Sequence, residues 1–136
     1  MLHELHIKNL AVIDELTLEF ARGFNVLTGE TGAGKSTILG ALGLVIGERS
    51  GPELVRTGED AARVEAALEF EIPADVRGLL HDAGIEMRDD EPLIVTRRVN
   101  AAGRTRAQLN GSLTTNSMLR VVGEACIDIH GQHEHQ

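Results

Sequence analysis

Gly29-Glu30-Thr31-Gly32-Ala33-Gly34-Lys35-Ser36 fits the pattern G-x-x-x-x-G-K-[ST] at every fixed position. Its flanks are those the motif requires. Phe24-Asn25-Val26-Leu27-Thr28 before it is an apolar run of buried-strand length. After it, Ile38, Leu39, Leu42, Val45 and Ile46 fall on one face of a helix, and Gly47 stands where a C′ glycine would end it. The chemistry explains the residue types. A loop that holds phosphates must curl so that successive N–H groups point inward, and Gly29, Gly32 and Gly34 permit the turns and the close approach. The helix that follows adds its free N–H groups and the positive end of its dipole. Lys35 places a point charge on the β- and γ-phosphates of ATP, and the Ser36 hydroxyl is a ligand for Mg²⁺. The candidate nucleotide-binding residues are therefore Gly29, Glu30, Thr31, Gly32, Ala33, Gly34, Lys35, Ser36 and Thr37. The bland alternative is a fortuitous glycine turn before a helix, and the two correct flanks argue against it.

Outward from the loop, the chain reads as one unit of mixed α and β. Leu5 and Ile7, then Leu16, Leu18 and Phe20, alternate at period two on either side of a turn at Asn9-Leu10. They predict a hairpin. The clearest strand places Val64, Ala66, Leu68, Phe70 and Ile72 against Arg63, Glu65, Glu69 and Glu71, the pattern of an antiparallel sheet with one wet face. Pro73 opens a helix that runs to Ala83 and closes at Gly84. Leu93–Val99 and Thr105–Leu109 form a second hairpin, and Asn110-Gly111 is a further turn. Thr114 or Thr115 caps a helix ending near Gly123, and Ala125–Ile129 reads as a last short strand.

Composition narrows the class. The chain has 136 residues, 42% hydrophobic and 25% charged, which suits one globular domain and excludes wholesale disorder. No apolar run reaches the length of a membrane span, and the N-terminus lacks the pattern of a secretory signal, so no membrane role is expected. The single cysteine, Cys126, fits a reducing cytoplasm and most simply packs as a small hydrophobe. The net charge of −8 disfavours nonspecific nucleic-acid binding by this segment alone. Three phenylalanines with no Trp or Tyr leave no stacking platform for bases.

Glu4 to Ile13, the glycine loop, Ala41-Leu42-Gly43-Leu44 and Gly47-Glu48-Arg49 together resemble the N-terminal head half of the RecN family, bacterial recombination and repair proteins related to the SMC ATPases. Val55-Arg56-Thr57-Gly58, Gly103-Arg104-Thr105-Arg106, Asn110-Gly111 and Ile129-His130-Gly131-Gln132-His133 extend the resemblance over essentially the whole chain. It implies an α/β fold: half of an ABC-type P-loop ATPase head, with a mixed β-sheet, an antiparallel β subdomain and a P-loop helix. It also implies that residues 1–136 form one domain, completed by a C-terminal head segment of the same protein beyond a coiled coil. A second head joins when ATP binds, and DNA is met through regions outside this segment, in the bacterial cytoplasm at the nucleoid. Among relatives, Gln132 would be the Q-loop ligand to Mg²⁺, with Gln136 the spare. Arg56 would act near the composite nucleotide site. Several relatives carry an arginine where this chain has Ala11, so its phosphate contact is not carried over.

Other readings stand beside these. By spacing alone His130, His133 and His135 look like zinc ligands, yet no matching Cys or His pair lies elsewhere, and a plain polar loop also fits. Arg49 and Arg56 read equally as solvated loop charges. Arg97, Arg98, Arg104 and Arg106 are a basic cluster, either salt-bridged surface or DNA-facing patch. Asp128 reads as a strand-end residue, because His130 rather than an acid follows, and no Leu-Ser-Gly-Gly signature occurs. The segment by itself is therefore expected to be poorly soluble or weakly folded and to hydrolyse ATP no faster than background. The competing classes are an ABC transporter subunit or small kinase, and a dimerisation module that binds ATP without hydrolysis. A transporter's N-terminal aromatic and a kinase's arginine-rich lid are both missing, and an ATPase assay with the C-terminal segment added separates the last.

Overall fold

Alternation is what builds the sheet. In the computed structural model, which describes residues 2–20, 32–88 and 90–134 (backbone alone for 32, 33 and 127–134), every expected hairpin forms. Strands β1 (Leu2–Leu10) and β2 (Ile13–Glu19) pair antiparallel around Ala11-Val12, so β1 runs through Asn9-Leu10 and the turn falls two residues later than expected. Then come helix α1 (Gly32–Val45), a short 3₁₀ turn at Pro52–Leu54, β3 (Ala61–Leu68) and α2 (Ala74–Asp82). Strands β4 (Leu93–Asn100), β5 (Thr105–Leu109) and β6 (Ser112–Thr114) precede α3 (Asn116–Glu134). The described strands form one antiparallel sheet in the order β2-β1-β3-β4-β5-β6. The expected Phe24–Thr28 strand and Arg22-Gly23 turn lie outside the described residues.

One face of this sheet is the core. Leu5, Ile7, Val64, Ala66, Leu93, Val95 and Leu109 pack there against Ala41, Leu44 and Val45 of α1, Val76 and Leu80 of α2, and Leu119 and Val122 of α3. The other face carries Lys8, Arg63, Arg98 and Arg106 in the open. Strand β3 stops at Leu68, four residues short of the expected Ile72; Phe70 and Ile72 still pack against the core, and Pro73 caps α2 instead of opening its first turn.

Two expectations at the C-terminal end are overturned. The helix does not stop near Gly123, and Ala125–Ile129 is not a strand: α3 runs unbroken to Glu134. Gly123 is a packing residue, not a terminator. A Cβ there would lie 2.8 Å from Cβ of Ile46, so the missing side chain lets α3 press against the end of α1. Gly47, by contrast, ends α1 as expected, at φ +94°. Its N–H donates to the Leu44 carbonyl and that of Glu48 to the Gly43 carbonyl, the paired bonds of a Schellman cap. The helix start is as read, since the Thr115 hydroxyl accepts from the Met118 N–H at 3.1 Å.

Candidate nucleotide-binding site

Helix α1 begins inside the glycine motif, at Gly32, so Gly32, Ala33, Gly34, Lys35, Ser36 and Thr37 form its first turns. Gly29, Glu30 and Thr31 lie outside the described residues. No acid occupies the first turn, which leaves the positive end of the dipole uncancelled. Lys35 and Ser36 are exposed there. A helix start with free N–H groups, an exposed ammonium and an exposed hydroxyl suits the donor set of a triphosphate and its Mg²⁺.

The far end of α1 is held by a residue that sequence patterning misplaced. Arg97 belongs to the basic cluster in sequence but not in space. It is only 2% exposed on the core face of β4. One terminal nitrogen donates to the Leu44 carbonyl at 2.7 Å and the Glu48 carbonyl at 2.9 Å, and the other to the Ser50 hydroxyl at 3.3 Å. These are carbonyls at and just beyond the C-terminus of α1, where a cation also meets the negative end of the dipole. Burial lowers the pKa of this guanidinium below its ordinary value, though an arginine stays charged. Its Nε has no hydrogen-bond partner among the described residues. The signal was present in the sequence: Leu93, Val95, Arg97 and Val99 share one period-two register.

Arg56 is stitched to the first hairpin. Its guanidinium donates to the Val12 carbonyl at 2.7 Å, its N–H donates to the Asn9 carbonyl at 2.9 Å, and Leu10 bridges to Val55 beside it. Ala11 adopts φ +50° in the same turn and donates to the Leu54 carbonyl. Thus Lys35 and Ser36 share one helix start, Arg56 stands on the loop after the 3₁₀ turn, and Gln132 falls on the backbone of the last turns of α3. Asp128 is also on α3, so it ends no strand. His130 and His133 lie on that same stretch, and His135 and Gln136 are outside the described residues. Cys126 is half-buried on α3. No helix among the described residues is long and apolar enough to cross a membrane.

Comparison with known proteins agrees with the resemblance read from the sequence. The chain is 45% identical over its whole length to the DNA repair protein RecN of Bacillus subtilis, and 44% identical to that of Halalkalibacterium halodurans. It spans about a quarter of those relatives, 23% and 24% of their lengths. In fold it is similar to the Smc head domain of Pyrococcus furiosus, solved with an extended coiled coil and bound to the C-terminal domain of ScpA. That match has a TM-score of 0.70 at 24% identity, over 93% of this chain and 33% of that one. Residues 4–123 match the AAA domain family. With that match over most of its length and the fold of an ATPase head, the chain belongs to the AAA domain family.

Proposed function

We propose that this chain is the ATP-binding half of a head in a RecN-like protein of DNA double-strand-break repair. One observation carries the reading: the G-x-x-x-x-G-K-[ST] motif runs into the start of α1, where Lys35 and Ser36 stand exposed with no acid in the first turn. Lys35 neutralises charge on the β- and γ-phosphates, and the N–H groups at the start of α1 receive them. A bound Mg²⁺ would supply stabilisation of the charge that develops in phosphoryl transfer. Ser36 and Gln132 would hold it. Arg56, fixed beside the first hairpin, is the candidate cation toward a second head.

The water-activating carboxylate is assigned to another segment. Asp128 is helical and has no acidic neighbour in the manner of a Walker B strand. A C-terminal head segment of the same protein would supply that acid, and a second head would supply the signature loop, so hydrolysis needs two assembled heads in the cytoplasm.

The test is a titration of the full-length protein with a fluorescent ATP analogue and Mg²⁺. Lys35→Ala should weaken binding by orders of magnitude, while Gln132→Ala should lower hydrolysis more than binding. Equal affinity of wild type and Lys35→Ala would sink the reading.

A further inference from the structure

Lys8 stands opposite Arg63, Arg63 opposite Arg98, and Arg98 opposite Arg106. Directly opposed residues of antiparallel strands project from the same face. Register therefore gathers four cations from four strands into one row on the open face of the sheet, and all four are exposed. Arg104, from the β4–β5 turn, shares a hollow with Arg98 and Arg106 at the end of this row.

A row of this kind works against folding, because like charges placed directly opposite destabilise a sheet. The compensation is partial. Arg63 pairs with Glu65 at 2.6 Å, and Glu15 stands opposite Lys8 at the β2 end while bonded to His6. Arg98, Arg104 and Arg106 have no ion-pair partner among the described residues. The chain carries a surplus of eight negative charges, so acids were at hand to break the row. Uncompensated positive charge concentrated here is what a polyanion site requires.

We infer that the Lys8–Arg63–Arg98–Arg106 row is a contact surface for the phosphate backbone of duplex DNA. Strands lie about 4.8 Å apart, so the row spans about 14 Å. Along that length one DNA strand presents about four phosphates. The neighbouring row, Thr17, His6, Glu65, Thr96, Gln108 and Leu113, contains no Phe, Tyr or Trp on which an unpaired base could stack, and its one imidazole, His6, is bonded to Glu15. The row's one large exposed apolar side chain, Leu113, stands on the edge strand β6 and not at the centre of the face, where a protein–protein contact puts its apolar anchor. The surface reads backbone and not sequence. This places a DNA contact within a segment whose total charge argues against one. The identity of the polyanion rests on the repair-ATPase reading; the row itself does not.

The experiment compares full-length wild type, an Arg63→Gln/Arg98→Gln/Arg106→Gln variant and the matching triple Lys variant. Binding to a short duplex is followed by anisotropy between about 50 and 200 mM salt, with binding of the fluorescent ATP analogue measured on the same samples. The Gln variant should bind nucleotide like wild type, melt no lower, and lose about 2.7 from the slope of log affinity against log salt. The Lys variant should keep the slope. An unchanged slope in a Gln variant that binds nucleotide normally overturns the inference, whether the row then serves an acidic protein or nothing. Failure of the wild type to bind nucleotide would instead strike the head reading and leave the DNA comparison intact.

Discussion

Arg97 and Arg98 are consecutive, yet they face opposite worlds. Arg98 is exposed in the cationic row, while Arg97 is buried with its guanidinium on the carbonyls that end α1. Truncating a buried donor strands its acceptors, at about 1–3 kcal/mol each. Arg97→Ala should therefore destabilise the protein by about 3 kcal/mol in denaturant unfolding, and Arg98→Ala should stay within about 0.5 kcal/mol of wild type. Equal effects would contradict the placement. Glu15 offers a second test. Its carboxyl accepts a hydrogen bond from His6 at 2.9 Å with Lys8 nearby, and both hold its pKa below the usual carboxylate range. A lowered folded-state pKa means the contribution is complete above the unfolded value and fades as pH falls through the folded one. An NMR titration should place Glu15 below an ordinary glutamate, and His6→Asn should move it back up.

At the scale of elements, the close seam between α1 and α3 depends on an absent side chain. Gly123→Ala would set a methyl 2.8 Å from Ile46 Cβ, so α1 and α3 must part by some tenths of an ångström. The expected cost is about 1–3 kcal/mol, with faster amide exchange across Leu44–Gly47 as the local readout. Unchanged stability would show that the helices are not in close contact. This residue also marks where the sequence was misread. A glycine followed by the apolar run Ala125-Cys126-Ile127 looks like a helix stop and a strand, and short apolar runs do not separate helix from strand by periodicity. Strands with clean alternation, such as β3 and the β4–β5 hairpin, were legible because one face is wet. The three-residue β6 was too short to carry a pattern, and it forms because Asn110 and Gly111, at φ +50° and +84°, turn the chain back on β5. Of the candidate site, the glycine motif and its helix were legible. The cationic row was legible only in part: Arg98 and Arg106 stood in the basic cluster on the β4–β5 hairpin, but adding Arg63 and Lys8 requires knowing that β3 lies between β4 and β1.

Across the whole molecule, charge is sorted by face: the core side admits Arg97 alone among buried charges of the described residues, and the open side collects the other strand cations. The same sheet order sets the sequence of events in folding. Strands β3 to β6 follow one another in space as in the chain, and β1 and β2 form their own hairpin, so both pieces close locally. The β1–β3 seam joins them, pairing Lys8 with Arg63 across some fifty residues that include the glycine loop and α1. Closing it costs about 3 kcal/mol more than closing a two-residue turn. The seam should therefore form late, and a shaped nucleotide loop cannot precede it. A ligand that recognises only the finished loop leaves the folding rate alone and slows unfolding. In stopped-flow refolding, saturating Mg-ATP should leave the folding limb where it is and lower the unfolding limb. The protein would then acquire its grip on nucleotide at the last step, and bound ATP would act as a latch on a fold it had no part in assembling.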